Sequence, residues 1–385
     1  MSDWKIYKLN EISTLSNGLN FDKSAYTSGI RLIGVSDFKD RLYPDYDSLQ
    51  EIDAKVIRSS DYLEKGDIVF VRSNGNKELV GRCMMIDRET PVTYSGFCIK
   101  LHLTDKTRFN PVFFNYLFRT RLFKKSMTGT AVGANIQNLS QTRLGSCEVR
   151  VPNIEKQKAI ADILSRYDSL IENYQKQIKL LEESAQRLYK EWFIDLRFPG
   201  HENTKIVDGV PEGWEKKRVG DIAEFKRGKT ITKKEIVEGN VPVVAGGLEP
   251  AYYCNKSNTD DRVITISGSG ANAGFTRMYF EKVWASDCSY IDCSTTTYLH
   301  FIYCFLRASK TNIDNMQKGA AQPHVYAKDI NAMDLLLPTN DIFNSFERQL
   351  TKIYDSVASI QTQIRLLTET RDRLLPKLMS GEIEI

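Results

Sequence analysis

Asn110-Pro111-Val112-Phe113 is the nearest approach in this chain to a catalytic signature. An adenine methyltransferase would carry Asn/Asp-Pro-Pro-Tyr/Phe, and here the second proline is missing. Asparagine followed by proline reads instead as a helix start, with proline in the first turn where its missing N–H costs nothing. Gly268-Ser269-Gly270-Ala271-Asn272-Ala273-Gly274 superficially resembles a dinucleotide loop. That fingerprint needs a helix opening at the glycines and an acidic residue about 20 positions on. The next residues, Phe275-Thr276-Arg277-Met278-Tyr279-Phe280, have the look of another strand, so the segment reads as a turn between strands. No GxxxxGK[ST] phosphate loop occurs, and the carboxylates are scattered as surface charge is. The expectation is a protein that catalyses nothing.

The remaining chemistry is recognition. Bases are read by Arg, Lys, Asn, Gln, Ser and Thr side chains reaching groove edges, while basic side chains and backbone N–H groups meet phosphates. Polar, glycine-bearing loops combine these types in four places. Arg72, Ser73, Asn74, Lys77 and Arg82 form the first cluster, and Lys124, Lys125, Thr128, Thr130, Asn135, Gln137 and Asn138 the second. Ser267, Ser269, Asn272 and Arg277 stand at matching places later in the chain, and Lys318, Gln322, His324 and Tyr326 make the last cluster. Lys226, Arg227, Lys229, Lys233 and Lys234 suit phosphate better than bases.

Charge tempers this. The net formal charge is only +4, and residues 1–150 alone lean basic, with 22 Lys and Arg against 17 Asp and Glu. Local loops or partner proteins must then supply much of the phosphate contact. Seven cysteines, odd in number and without a CxxC, argue against a disulfide framework and for a reducing cytoplasm. The four histidines (His102, His201, His300, His324) have no zinc spacing, so no metal site is expected. The charged start MSDWKIYKLNEI lacks a signal peptide's apolar run, and no stretch reaches the ~18–20 apolar residues of a membrane span.

The elements that would hold these loops occur twice. Trp4-Lys5-Ile6-Tyr7-Lys8-Leu9-Asn10-Glu11-Ile12 resembles Trp214-Glu215-Lys216-Lys217-Arg218-Val219-Gly220-Asp221-Ile222, with Gly18 and Gly228 at the same offset of 210. Gly66 to Ser73 matches Asp261 to Gly268 as a strand running into a polar turn, and Gly129-Thr130-Ala131 answers Gly319-Ala320-Ala321. A helix is expected over Val112 to Lys125, with a counterpart around Tyr298 to Ser309.

Pro152 and Pro338 each precede a long helical stretch. Leu164, Tyr167, Ile171, Tyr174, Ile178, Leu181, Ala185, Leu188 and Trp192 alternate by three and four. Leu350, Ile353, Val357, Ile360, Ile364, Leu367, Arg371, Leu374 and Leu378 repeat the spacing at an offset of 186. Both read as coiled-coil seams with charged flanks, ended by Gly200 and Gly381. Two such helices can pack on each other within the chain, antiparallel, and roughly 35–40 helical residues span about 50–60 Å. The expected fold is therefore α+β: a globular domain over 1–152, a spacer helix over 153–196, a linker over 197–211, a second domain over 212–338 and a second helix over 339–385.

With that organisation in view, Leu188-Tyr189-Lys190-Glu191-Trp192-Phe193, Phe198-Pro199, Pro211-Glu212-Gly213-Trp214 and Leu374-Leu375-Pro376-Lys377-Leu378-Met379-Ser380-Gly381-Glu382-Ile383 resemble the signatures of type I restriction–modification specificity (S) subunits. The resemblance covers the whole chain. It implies two target-recognition domains, each reading one half of a split double-stranded DNA sequence, and helices that set the unspecified spacer. It implies two methylase subunits docked on the helices and recognition domains, and two motor-nuclease subunits. S-adenosylmethionine, ATP and Mg would then belong to partners and no cofactor to this chain. Trp192, Phe193 and Leu378 are candidate partner contacts, although a large aromatic at a helix end equally caps the coiled coil. The two domains differ enough that the two half-sites are expected to differ. A homodimer of the isolated chain is compatible with the helices, and the alternative function is a coiled-coil adaptor that bridges proteins without reading DNA.

Overall fold

Ile68-Val69-Phe70-Val71 is a run of β-branched and aromatic residues with no polar alternation, which fits a strand covered on both faces. In the computed structural model all four are fully buried. The structure describes residues 4–39, 41–76, 79–128, 138–232, 234–318 and 323–385. The chain divides into two units: residues 1–172 with 365–385, and residues 173–364.

Unit 1 opens with β1 (Lys5–Lys8), α1 (Leu9–Ile12) and β2 (Ser13–Asn17), then β3 (Tyr26–Ile33), β4 (Gln50–Ile52), β5 (Ile68–Val71), β6 (Cys83–Met85), β7 (Val92–Tyr94) and β8 (Cys98–Leu103). Next come helices α2 (Pro111–Leu117), α3 (Arg121–Thr128) and α4 (Gln141–Gly145), then β9 (Glu148–Val151) and the first part of α5 (Ile154–Tyr189). A four-stranded sheet has the order β2-β8-β5-β6, a three-stranded sheet the order β4-β3-β7 with β3 and β7 parallel, and β1 pairs with β9.

Unit 2 begins in the second part of α5, passes a π-helical turn at Lys190–Ile194, and continues through β10 (Ile206–Val207), β11 (Val210–Pro211), β12 (Glu215–Arg218), α6 (Val219–Ile222) and β13 (Lys226–Arg227). Then come β14 (Val241–Val244), β15 (Tyr252–Cys254), β16 (Val263–Ser267), β17 (Thr276–Tyr279), β18 (Trp284–Ala285) and β19 (Cys288–Asp292). Helices α7 (Leu299–Ala308), α8 (Lys310–Asn315) and α9 (Ala327–Asn331), strand β20 (Asp334–Leu337) and α10 (Asn340–Ser380) complete the chain. The sheets repeat unit 1: β13-β19-β16-β17, β15-β14-β18 with β14 and β18 parallel, and β12 with β20.

The repeat extends to single hydrogen bonds. Gly18 N–H donates to Cys98 O (3.1 Å), and Gly228 N–H to Cys288 O (2.8 Å). A Cβ at Gly18 would lie 2.2 Å from Ser95 O and one at Gly228 2.3 Å from Ser286 O, so both sites admit only glycine. Gly81 and Gly274 both adopt positive φ, 82° and 86°, and donate to Val71 O and Ser267 O at 2.9 Å each.

This pairing corrects the sequence alignment by one residue. Val71 lies opposite Cys98 and Ser267 opposite Cys288, so Val71 corresponds to Ser267 and Arg72 to Gly268. The second strand ends in a polar residue, and with no apolar side chain to mark its end the sequence pattern slips by one place.

Asn110 starts α2 as expected: its Oδ1 accepts from Val112 N (2.9 Å) and Phe113 N (3.2 Å), with Pro111 in the first turn. The single helix expected over Val112 to Lys125 is two. Thr120 divides it, since its Oγ1 donates to Leu117 O (2.7 Å) and accepts from Phe123 N (3.2 Å), closing one helix and capping the next.

Helices α5 and α10 have 36 and 41 residues. In unit 1 the start of α5 shares a core with the end of α10, through Ile160, Ala161, Leu164, Leu378 and Met379. In unit 2 the end of α5 shares a core with the start of α10, through Ala185, Tyr189, Phe343, Phe346 and Leu350. The two helices are thus antiparallel, as the matching seams predict. Leu164, Leu350 and Val357 are fully buried at the seam, whereas Ile171, Ile178, Leu181, Leu188, Ile364, Leu367 and Leu374 are half-buried. Arg371, the polar residue in the second seam, is ion-paired with Asp168, which also accepts from Tyr116 OH.

Candidate nucleic-acid interface

In unit 1 the turn after β5 meets segments far away in sequence. Arg72 N–H and Ser73 N–H both donate to Phe97 O (2.8 and 3.3 Å), Leu139 N–H donates to Arg72 O (2.7 Å), and Ser73 forms a bridge with Asn138. The structure therefore joins Arg72, Ser73, Asn74 and Asn138, which come from two sequence clusters. Asn74 Oδ1 also accepts from Asn76 N (2.8 Å), folding the loop on itself. Arg82 is one strand away, its carbonyl accepting from Val71 N (2.8 Å), and it lines a small crevice with Lys124. Lys124 and Lys125 are exposed on α3. Lys77, Thr130, Asn135 and Gln137, and the side chain of Thr128, lie outside the described residues.

Unit 2 uses the same backbone plan. Gly268 N–H donates to Asp287 O (3.1 Å), Val325 N–H to Gly268 O (3.1 Å), and Ser269 bridges His324. His324 and Lys318 exchange backbone hydrogen bonds of 2.9 and 3.0 Å, and the His324 ring stacks on Tyr326 at 5.9 Å. Ser269, Lys318, His324 and Tyr326 are thereby assembled into one surface. Lys318 is itself paired with Asp329 (3.1 Å). Asn272 is half-buried, its amide donating to Gly246 O (3.4 Å). Gln322 and Lys233 lie outside the described residues. Lys226 and Arg227 are exposed on β13, an edge strand, and Lys229 and Lys234 are exposed nearby in sequence, as phosphate contacts require.

Five candidates need correction. Ser267 is buried inside β16 and its hydroxyl donates to Gly246 O (3.1 Å), because it occupies the strand position of Val71. Arg277 is half-buried, donates to Leu248 O (3.0 Å) and Glu249 (3.2 Å) and lies over the Tyr279 ring, so its guanidinium holds a loop. Trp192 and Phe193 are core residues of unit 2: Phe193 packs on Phe346 (4.7 Å), Phe301 (5.0 Å) and Trp214 (5.5 Å), and Trp192 on Phe346 (5.5 Å). Leu378 is buried in unit 1. These three pack into the cores of their units at the helix ends.

Sequence reading missed Phe97 and Asp287. Their carbonyls anchor the two loops, yet an aromatic residue in a strand-rich segment reads as core, and Phe97 is 61% exposed. Among the described residues no three His, Cys, Asp or Glu side chains gather as a metal site, and no helix is long and apolar enough to cross a membrane.

The comparisons with known proteins agree on one family. The type I restriction modification DNA specificity domain matches the chain twice, over residues 1–183 and 211–369. The MjaIX type I restriction enzyme specificity subunit of Methanocaldococcus jannaschii is 30% identical over 295 residues, covering 70% of this chain and 68% of that protein. The HindI specificity subunit of Haemophilus influenzae is 23% identical over the whole of both chains, 100% of each. A crystal structure of the S subunit of a type I restriction–modification system from M. genitalium shares the fold, with a TM-score of 0.59 at 18% identity over 97% of this chain and 96% of that one. The chain belongs to the DNA specificity subunits of type I restriction–modification systems, proteins that recognise DNA and leave the catalysis to other subunits.

Proposed function

We propose that residues 1–152 and 212–338 are two target-recognition domains, each reading one half of a bipartite site in double-stranded DNA. Residues 153–196 and 339–385 set the spacer and dock two methylase subunits, and 197–211 link the halves. Motor-nuclease subunits complete the complex in the cytoplasm. S-adenosylmethionine, ATP and Mg are bound by those partners.

One observation carries this reading. Two loop surfaces have the same backbone hydrogen bonds, Arg72–Phe97 and Gly268–Asp287, but unlike side chains. A scaffold held constant while its polar surface varies suits two readers of different half-sites. Base reading falls to Arg72, Ser73, Asn74 and Asn138 in the first half, and to Ser269, His324 and Tyr326 in the second. Lys226 and Arg227 meet phosphates.

The test is to co-express the chain with its methylase subunit and map methyladenine across the genome. A single split motif is expected, and exchanging residues 212–338 for those of another S subunit should change only one half of it. Arg72→Ala should weaken or relax one position of the other half about tenfold, as a base contact is worth ~1–3 kcal/mol. Methylation unchanged by removal of this chain would sink the reading and favour the adaptor.

A further inference from the structure

Two topologically matched positions carry the sharpest contrast between the loop surfaces. Phe97 O receives the Arg72 and Ser73 N–H groups, Asp287 O receives the Gly268 N–H, and the next residues, Cys98 and Cys288, each accept a glycine N–H. Positions 97 and 287 are therefore one place in the fold. In unit 1 it holds a phenylalanine that is 61% exposed, its carbonyl accepting from the Arg72 and Ser73 N–H groups and Asn138 bridging Ser73 through the main chain. Asn20 is seated over the preceding Gly96, where a Cβ would lie 2.0 Å from its Oδ1. In unit 2 the same place holds a carboxylate, which accepts a hydrogen bond from the Ser269 hydroxyl.

Neither residue suits a phosphate. A phenyl ring offers the backbone nothing, and a carboxylate is repelled by it. Both suit base edges. The apolar feature of the major-groove edge is the 5-methyl of thymine, and a carboxylate accepts from the 4-amino group of cytosine. We propose, on the DNA-interface reading above, that this position is a specificity determinant in each half: Phe97 lies against a thymine methyl, and Asp287 accepts from a cytosine amino group. Because the main chain makes the scaffold bonds, the side chain is free to differ without disturbing the fold.

The experiment uses the methylase complex assembled with the full chain. The methylated motif is read for the wild type, Phe97→Ala, Phe97→Leu and Asp287→Asn. Duplexes are then titrated in which each thymine of the first half-site is replaced in turn by deoxyuridine, which lacks only the methyl group. One thymine should lose about fourfold in affinity on replacement, the worth of one buried methyl group. Phe97→Ala should bind both duplexes equally, and Phe97→Leu should keep part of the preference. Asp287→Asn should relax one cytosine of the second half alone. If deoxyuridine has the same effect on Phe97→Ala as on the wild type at every position, Phe97 reads no methyl. If Arg72→Ala and Asn138→Ala alter the first half-site while Phe97→Ala does not, this proposal fails and the interface stands. If none of the three alters it, the interface reading fails with it.

Discussion

Units 1 and 2 solve the same packing problem with opposite chemistry. Where a long helix meets the helix after β8 or β19, unit 1 puts Asp168 against Tyr116 and Arg371. At the seam offset of 186, the counterparts of Asp168 and Arg371 are Tyr354 and Ala185, respectively 1% and 0% exposed. Tyr354 OH meets Cys304 Sγ at 3.5 Å, where unit 1 has Tyr116 meeting Asp168. Burial pushes the Tyr354 and Cys304 groups up, Cys304 to about 12, so this contact is neutral at physiological pH. Tyr116 is pushed up by burial and then by the Asp168 charge. The pair of units is a natural comparison of an ionic triad with an uncharged one on a single scaffold. It teaches that the fold needs filled volume at this joint and tolerates either polarity, provided every charge has its partner.

The largest expected effect breaks that proviso. Tyr354→Asp places a carboxylate in a fully buried site where Ala185 stands in the place of Arg371 and supplies no ion-pair partner. It should cost about 4 kcal/mol or more and unfold unit 2 first, read as loss of protection of its amides by hydrogen exchange. In unit 1, Asp168→Ala leaves the half-buried Arg371 and the Tyr116 hydroxyl without their shared acceptor. About 2 kcal/mol is expected, discounted for the quarter of Arg371 that faces solvent. The triple variant Tyr116→Cys, Asp168→Tyr and Arg371→Ala installs the unit 2 residues and should recover most of that loss. If the triple variant is as unstable as Asp168→Ala, the joints are not equivalent.

A smaller contrast lies at the start of the helices after β8 and β19. Asn110 caps α2 with two side-chain bonds, whereas Tyr298 at the same place before α7 makes no cap bond and instead packs on Phe343 at 4.4 Å. Asn110→Ala should lower stability by about 1 kcal/mol in denaturant titrations with an unchanged m-value. An equal loss from Asn110→Ser, which retains a capping oxygen, would show that the side chain matters for something other than the cap.

The repeat was legible because a few residue types cannot move: glycines under a carbonyl at 18 and 228, prolines before the long helices, and the three-four seam. Its fine register was not. Ser267 ends a strand without an apolar marker, and only its pairing with Cys288 fixes it against Val71. The candidate interface was legible as a list of polar loops and illegible as an assembly. Arg72 is bonded to Leu139 and Ser73 bridged to Asn138 through long-range main-chain pairing that no local pattern encodes. Residues 97 and 287 escaped for the same reason: what places them beside the loops is a bond to a carbonyl, which every residue has. Trp192, Phe193 and Leu378 showed the opposite error, since large apolar side chains at a helix end serve a core as readily as a partner.

The cysteines give the smallest and most selective test of the equivalence. Cys98 and Cys288 hold matching strand positions, 0% and 2% exposed, and burial pushes both thiols from 9.0 up to about 12. Cys293, five residues beyond Cys288, is exposed beside Asp261, its Sγ 3.6 Å from Oδ1; partial burial and then that carboxylate raise its pKa too. All seven cysteines are free, and alkylation requires the thiolate and access to it. At pH 8 in native buffer, iodoacetamide should modify Cys293, slowly, and spare Cys98 and Cys288 alike. A raised thiol pKa favours the folded state below the unfolded value near 9.0, and that contribution is lost as pH climbs toward about 12. Cys98 and Cys288 should therefore become reactive together, at a common alkaline threshold. Peptide mapping that finds one labelled well before the other would mean that the two strands open independently, and that equal wiring does not bring equal local stability.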